Sequence, residues 1–194
     1  MDPGIALIVG LGNPGAEYAE TRHNAGFRFI GAVAASFGAQ LRSEARFNAE
    51  AARVVLADRD VWLLQPLTFM NRSGEAVARF AQYYKIPIER ILVAYDELDL
   101  APGVVRLKRG GGDAGHNGVH DLIEKLASAD FLRLRIGIGR PPSSGQGANY
   151  VLKRAPAAEQ KLIDDAIERA RAQLPGIARG EYQKVMNVLH TDPV

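Results

Sequence analysis

A histidine and a carboxylate set among side-chain amides are the groups in this chain best suited to activate water. His23 stands in the polar turn Thr21-Arg22-His23-Asn24-Ala25-Gly26, and Asp96 closes the apolar run Ile91–Tyr95. A neutral imidazole takes a proton from water near pH 7. A carboxylate on its other ring nitrogen fixes the tautomer and stabilises the imidazolium that forms. Asp96, at the end of a buried strand, is the natural partner of His23. The amides of Asn13, Asn24, Asn71 and Asn117 offer neutral donors for an oxyanion, or donor–acceptor pairs that read a peptide backbone. These residues fall in four loops, 13–24, 65–71, 95–99 and 110–118, each following or flanking an apolar strand. In open α/β sheets ligands collect where strands end at their carboxyl termini, so converging loops build one site. Singly, each residue also has a structural use: His23 or Asn71 as a helix cap, Asp96 as a turn residue, Phe69 and Met70 as core. Their occurrence together is what points to chemistry.

Other reaction devices are missing from the sequence. There is no cysteine, no G-x-S-x-G elbow, no H-E-x-x-H pair and no G-x-x-x-x-G-K-[ST] phosphate loop. His116 and His120 are four apart, but no third ligand accompanies them, and His120 reads as a helix-surface residue. No metal and no cofactor are expected. Gly10-Leu11-Gly12-Asn13-Pro14-Gly15 does match the G-x-G-x-x-G dinucleotide fingerprint. Its context does not fit. No helix pattern opens at Gly15, positions 30–35 hold no acid for a ribose, and no second strand closes a βαβ unit. A nucleotide-binding oxidoreductase is therefore a minor alternative.

The elements that must position these groups alternate between strand and helix. Ile5–Val9 is predicted as a strand and Gly26–Phe37 as a helix ended near Gly38. Ala49–Leu56 and Val61–Leu64 form a hairpin around Asp58-Arg59-Asp60. Ser73–Tyr84 is a helix with Val77, Phe80, Ala81 and Tyr84 on one face, and Ile91–Tyr95 is a buried strand. Val104–Lys108 alternates, with Arg106 and Lys108 on the outer face. Gly118–Ala127 is a short helix. Leu132–Ile138 alternates with Arg133 and Arg135 on one face, 141–147 is a loop or hinge, and Ala157–Leu174 and Glu181–Leu189 are terminal helices. The expected architecture is α/β, one domain over residues 1–194, with a mixed twisted sheet and helices on both faces.

Composition sets the outer limits. The chain has 194 residues, 47% hydrophobic and 24% charged, as in an ordinary globular domain with a sizeable core. No apolar run reaches the ~20 residues of a membrane span, and the N-terminus lacks the basic start of a signal peptide. No membrane partner is expected, and the absence of cysteine suits a reducing cytoplasm. Net charge is +2, yet between Val104 and Arg154 nine Lys/Arg stand against four Asp/Glu. Such a basic half suits a polyanion, so a non-catalytic RNA-binding protein is the second alternative.

Taken in order, LIVGLGNPG with Tyr18 and TRHNAGF, QPLTFMNRSG, DELDLAPG with RLKRGGGDAGHNG, and FLRLRIGIGRP resemble bacterial-type peptidyl-tRNA hydrolases over nearly the whole chain. The resemblance implies a monomeric cytoplasmic enzyme of translation that cleaves the ester joining a peptide to the 3′ end of tRNA. It implies His23 as the base, Asp96 as the acid that supports it, and Asn13 as the residue that distinguishes N-blocked from free aminoacyl-tRNA. It assigns substrate contacts to Tyr18, Phe69, Asn71 and Asn117, with Met70 beside them, and a further pocket histidine to His116. Lys108, Arg133 and Arg135 take the places of basic residues that engage tRNA, so exposed strand faces carrying them are expected to touch phosphates. Either Asn13 or Asn71 serves the oxyanion. The chain departs from the resemblance at Asp113-Ala114 in the glycine loop and at Lys153–Ala157, where lid detail differs.

Overall fold

The computed structural model describes residues 2–191 as a seven-stranded mixed sheet flanked by helices. The strands are β1 (Leu7–Gly10), β2 (Arg42–Glu44), β3 (Ala49–Leu56), β4 (Arg59–Pro66), β5 (Ile91–Glu97), β6 (Val105–Arg109) and β7 (Leu132–Gly137). Their order across the sheet is β2-β3-β4-β1-β5-β7-β6. β1 lies parallel to both β4 and β5, and β5 parallel to β7, whereas β2–β3, β3–β4 and β6–β7 are antiparallel. After β1 the chain builds one side of the sheet, then returns to lay β5 on the other side. The carboxyl ends of β1, β4 and β5 therefore meet at a topological switch point, where crevices form.

Side chains of β1 split between two apolar layers, as the period of two requires. Ile8 faces α1 (Ala25–Ser36), α5 (Ala157–Ala172), α6 (Leu174–Ala178) and α7 (Tyr182–Leu189). That layer holds Phe29, Ile30, Ile163, Ile167 and Ile177. Leu7 and Val9 face α2 (Ser73–Tyr83) and α3 (Asn117–Leu126), among Val77, Phe80, Val119 and Leu122. Both faces of β5 are covered and all seven of its residues are buried, so it reads as a continuous apolar run. A short α4 (Gly147–Val151) begins at the last residue of the 141–147 segment expected as a loop or hinge, and the rest of it matches no predicted element. The predicted Ala157–Leu174 helix ends at Ala172, with α6 beginning again at Leu174. The hairpin turn is Ala57-Asp58 rather than Asp58–Asp60. Both residues have positive φ (49 and 60°), and Leu56 pairs Arg59, a two-residue turn whose twist matches the strands.

The glycine fingerprint has a packing explanation. A Cβ on Gly10 would sit 2.2 Å from the Gly26 carbonyl oxygen, and one on Gly26 would sit 2.4 Å from the Ala94 carbonyl oxygen. The two glycines let α1 press directly on the ends of β1 and β5. α1 opens at Ala25, ten residues after Gly15, and its first turn is packed against the glycine loop itself: the Phe27 ring lies where a Cβ on Gly12 would stand, and the Phe27 N–H donates to the Leu11 carbonyl (3.2 Å).

The far edge of the sheet is closed by the C-terminal helix. The Leu107 N–H donates to His190 Nε2 (3.1 Å) and Arg106 Nη1 to the Leu189 carbonyl (3.2 Å). Among the described residues no helix is long and apolar enough to cross a membrane.

Candidate functional site

His23 sits in a one-turn 3₁₀ helix, Arg22–Asn24, between the end of β1 and the start of α1. The turn is buried and gripped on both sides. The Arg22 N–H donates to the Lys153 carbonyl (3.0 Å), and its guanidinium donates to the Tyr150 carbonyl (3.0 Å) and stacks 3.8 Å over the Tyr150 ring. Tyr150 in turn donates to the Ile138 carbonyl (2.8 Å), so α4 is latched against the histidine's own turn. Asn24 works on the other side. Its amide accepts from the Asn13 N–H (2.8 Å) and donates to the Asn13 carbonyl (2.9 Å), a two-point clamp that copies a strand partner. The Asn13 side-chain oxygen accepts from the Met70 N–H (2.7 Å). With its oxygen committed, the amide nitrogen of Asn13 is the donor left for a ligand.

Asp96 binds two histidines at once. Its Oδ2 lies 2.8 Å from His23 Nδ1 and its Oδ1 2.8 Å from His116 Nε2. His116 is also the N-cap of α3, and its Nδ1 accepts from the N–H groups of Gly118 (3.2 Å) and Val119 (3.3 Å). An acceptor nitrogen carries no proton, so the His116 proton is on Nε2 and points at Asp96. The ionised carboxylate thus accepts from His116 and from His23 Nδ1–H. This leaves His23 Nε2 with a lone pair and no partner among the described residues. Burial pushes the Asp96 carboxyl up, but the two imidazoles more than reverse this and hold it well below the usual carboxylate range. For His23, burial lowers the pKa, while the charge and hydrogen bond of Asp96 raise it further, for a net rise above the ordinary 6.5.

His23, Asp96, His116 and Asn117 line one cleft of about 190 Å³, with Glu97 at the end of β5, Leu98 and Asp99 after it, and Gly147, Ala148 and Val151 of α4. The ligand atoms of His23, Asp96 and His116 lie within 4.8 Å of one another, a spacing a metal could bridge. The His116 tautomer opposes this: ligation through Nε2 would move its proton to Nδ1 and turn the α3 cap into a donor facing donors.

The other expected site residues take varied places. Phe69 is 58% exposed and meets Tyr18 edge to face, with centroids 6.4 Å apart. Asn71 is exposed in the turn before α2. Met70 is buried in the core against α2 and α3, so its contribution near the cleft is its backbone N–H rather than a groove-lining thioether. Lys108 is exposed beside Gly111, and Arg135 pairs with the cleft residue Glu97 (2.9 Å).

Arg133 is placed unlike Arg135. It shares a face with Arg135, yet it is only 1% exposed and its guanidinium points into carbonyl oxygens of the glycine loop, away from solvent where a phosphate would lie. Strand alternation identifies a face but not what covers it. Arg22, Glu97 and Tyr150 were not singled out from sequence. Arg22 lies beside His23 in the polar turn but draws its partners from more than a hundred residues away.

A family model described as peptidyl-tRNA hydrolase matches residues 7–194. A peptidyl-tRNA hydrolase of Methylococcus capsulatus is 54% identical over 186 residues, covering 96% of this chain and 99% of its own length. One from Neisseria gonorrhoeae is 48% identical over 191 residues, covering 98% and 100%. The crystal structure of peptidyl-tRNA hydrolase from Acinetobacter baumannii superposes with a TM-score of 0.94 at 46% identity, over 97% of this chain and 95% of that one.

Proposed function

Because the chain belongs to the peptidyl-tRNA hydrolase family and hydrolyses the ester between a peptide and tRNA, we propose that His23 Nε2 is the base that activates the attacking water. The reading rests above all on the Asp96 carboxylate held between two imidazoles, which leaves one of them with a lone pair beside the cleft. Water gives a proton to Nε2 as its oxygen bonds to the ester carbonyl carbon. The imidazolium then returns the proton to the ribose oxygen as the carbon–oxygen bond to tRNA breaks, leaving peptide acid and free tRNA. Asp96 stays ionised throughout and stabilises the charged ring.

Asn13 is the better placed amide for the carbonyl oxygen. Its backbone and side-chain oxygen are already fixed, so its Nδ2 is pre-aimed, whereas Asn71 stands exposed. The Tyr18–Phe69 pair offers an apolar wall for the peptide, and Asn117 at the head of α3 reads its backbone or the terminal nucleotide. Lys108 and Arg135, near the glycine loop and cleft, take phosphates of the acceptor stem. One fold supplies every group named, which supports a single-domain enzyme; a monomeric state and a cytoplasmic setting are what the family resemblance implies.

Two measurements test these roles. Wild-type enzyme releases tRNA from N-acetyl-aminoacyl-tRNA in preference to aminoacyl-tRNA, and Asn13→Ala narrows that ratio about tenfold, the worth of one aimed hydrogen bond. An unchanged ratio reassigns discrimination to another residue. In a pH series, kcat/KM falls on the acid side with a midpoint above 6.5, because the base form of His23 is required and its pKa is raised. A midpoint at or below 6.5 removes Asp96 as the group that tunes His23.

A further inference from the structure

Among the described residues, Arg133 is the largest side chain buried to 1% exposure, and no carboxylate there lies within ion-pair distance of it. Burying a guanidinium is costly unless its donors are met. Here Nη1 donates to the Gly112 carbonyl (2.5 Å) and Nη2 to the Gly111 carbonyl (2.6 Å), with the Ala129 carbonyl at 3.5 Å. The Phe131 ring lies 4.6 Å from the guanidinium carbon, and Nε has no partner. The two short bonds both go to one object, the loop that joins β6 to α3.

The first half of that loop, residues 110–112, makes no hydrogen bond within the loop, whereas Asp113 accepts from the Gly115 and His116 N–H groups (2.8 and 2.9 Å). The loop contains Gly110, Gly111, Gly112 and Gly115, of which the first, second and fourth have positive φ (68, 102 and 82°). Glycine-rich chain carries the largest entropy to be lost on ordering. At one end the Gly110 N–H reaches the Phe131 carbonyl (3.1 Å), and at the other His116 bonds Asp96. Between these anchors, the two bonds from Arg133 hold Gly111 and Gly112, while Asp113 further along is held by His120 of α3 (2.9 Å). Asn117 and His116, at the exit of the loop, line the cleft. Tyr95 extends the same contact inward. It is buried beside Arg133, and its ring meets His116 edge to face at 5.0 Å.

We infer that Arg133 is a positioning residue that clamps the glycine loop through the carbonyls of Gly111 and Gly112, and so sets His116 and Asn117 in the cleft, rather than a contact for tRNA phosphate. A rigid fork of donors suits two adjacent carbonyls in a way that a lysine ammonium does not. The inference rests on the roles proposed above for His116 and Asn117.

The test compares Arg133→Lys with Lys108→Ala and Asn117→Ala on two substrates. One is N-acetyl-aminoacyl-tRNA; the other is a short single-stranded RNA carrying the same ester at its 3′ end. For Arg133→Lys, kcat is expected to fall about tenfold to a hundredfold on both substrates, the cost of a site displaced by about an ångström. The salt dependence of KM for the tRNA substrate stays that of wild type. Lys108→Ala, by contrast, flattens the salt dependence by about one unit of slope. A loss confined to the tRNA substrate, with a flattened slope, overturns the inference in favour of a phosphate contact. Wild-type kcat in Arg133→Lys, or a lower melting temperature with unchanged kcat, also overturns it. If Arg133→Lys does not fold, Phe131→Leu removes the ring beside the guanidinium and keeps the charge. The same loss of kcat is expected there, and wild-type kcat overturns the inference. If Asn117→Ala behaves as wild type, the reading of Asn117 fails on its own; if it is impaired while Arg133→Lys is not, only the present inference fails.

Discussion

His23→Ala lowers kcat for N-acetyl-aminoacyl-tRNA by about 10²–10⁴-fold, the usual share of a general base, while the dissociation constant for tRNA changes little. The two effects separate because the proposed role of the imidazole is on the reacting water, whereas Lys108 and Arg135, proposed to take phosphates, are left unchanged by the substitution. Single-turnover rates and a binding titration on the same preparation check both. Turnover within a few-fold of wild type would remove His23 from the reaction, and weakened tRNA binding of the same size would make it a binding residue.

Asp96→Asn produces a loss of similar size by a different route. The His116 proton is confined to Nε2 because Gly118 and Val119 donate to its Nδ1. The new amide must therefore turn its oxygen to His116 and its NH₂ to His23 Nδ1. A donor facing Nδ1 forces the His23 proton onto Nε2, the atom that has to accept from water. The volume of the side chain is unchanged and the fold stays intact, yet the base is in the wrong tautomer. A fall in kcat of about 10²–10⁴-fold is expected, with the His23 ring nitrogens exchanging their protonation in ¹⁵N spectra. A large loss of kcat with the original tautomer retained would mean that the charge of Asp96, not its orientation of the ring, is what matters.

Much of the positioning frame is written locally. The apolar runs at Ile5–Val9 and Ile91–Tyr95 place Asn13 just beyond one buried strand and Asp96 near the end of another, and the polar turn at 21–26 places His23 before a helix. What a linear reading lacks is the pairing across the switch point. His116 and Asp96 are 20 positions apart, and their contact depends on α3 packing beside β5. The Asn24 clamp on Asn13 and the Arg22 latch on Tyr150 likewise exist only once α1 and α4 are docked. The five-residue α4 is too short to show a helical period. The alternation in β7 gives Arg133 and Arg135 the same face, but one ends beneath a loop and the other beside Glu97. Periodicity carries orientation, while coverage is decided by segments distant in the chain.

The C-terminal closure of β6 bears on how the protein behaves in company. An outermost strand with open backbone groups invites a second chain to add itself, the first step of edge-to-edge aggregation. Here the imidazole of His190 takes the Leu107 N–H and the end of α7 occupies the remaining space, while the Lys108 side chain on the same strand stays in solvent. That border of the sheet therefore offers fewer open backbone groups to another β-strand, while Lys108 keeps a positive charge on display there.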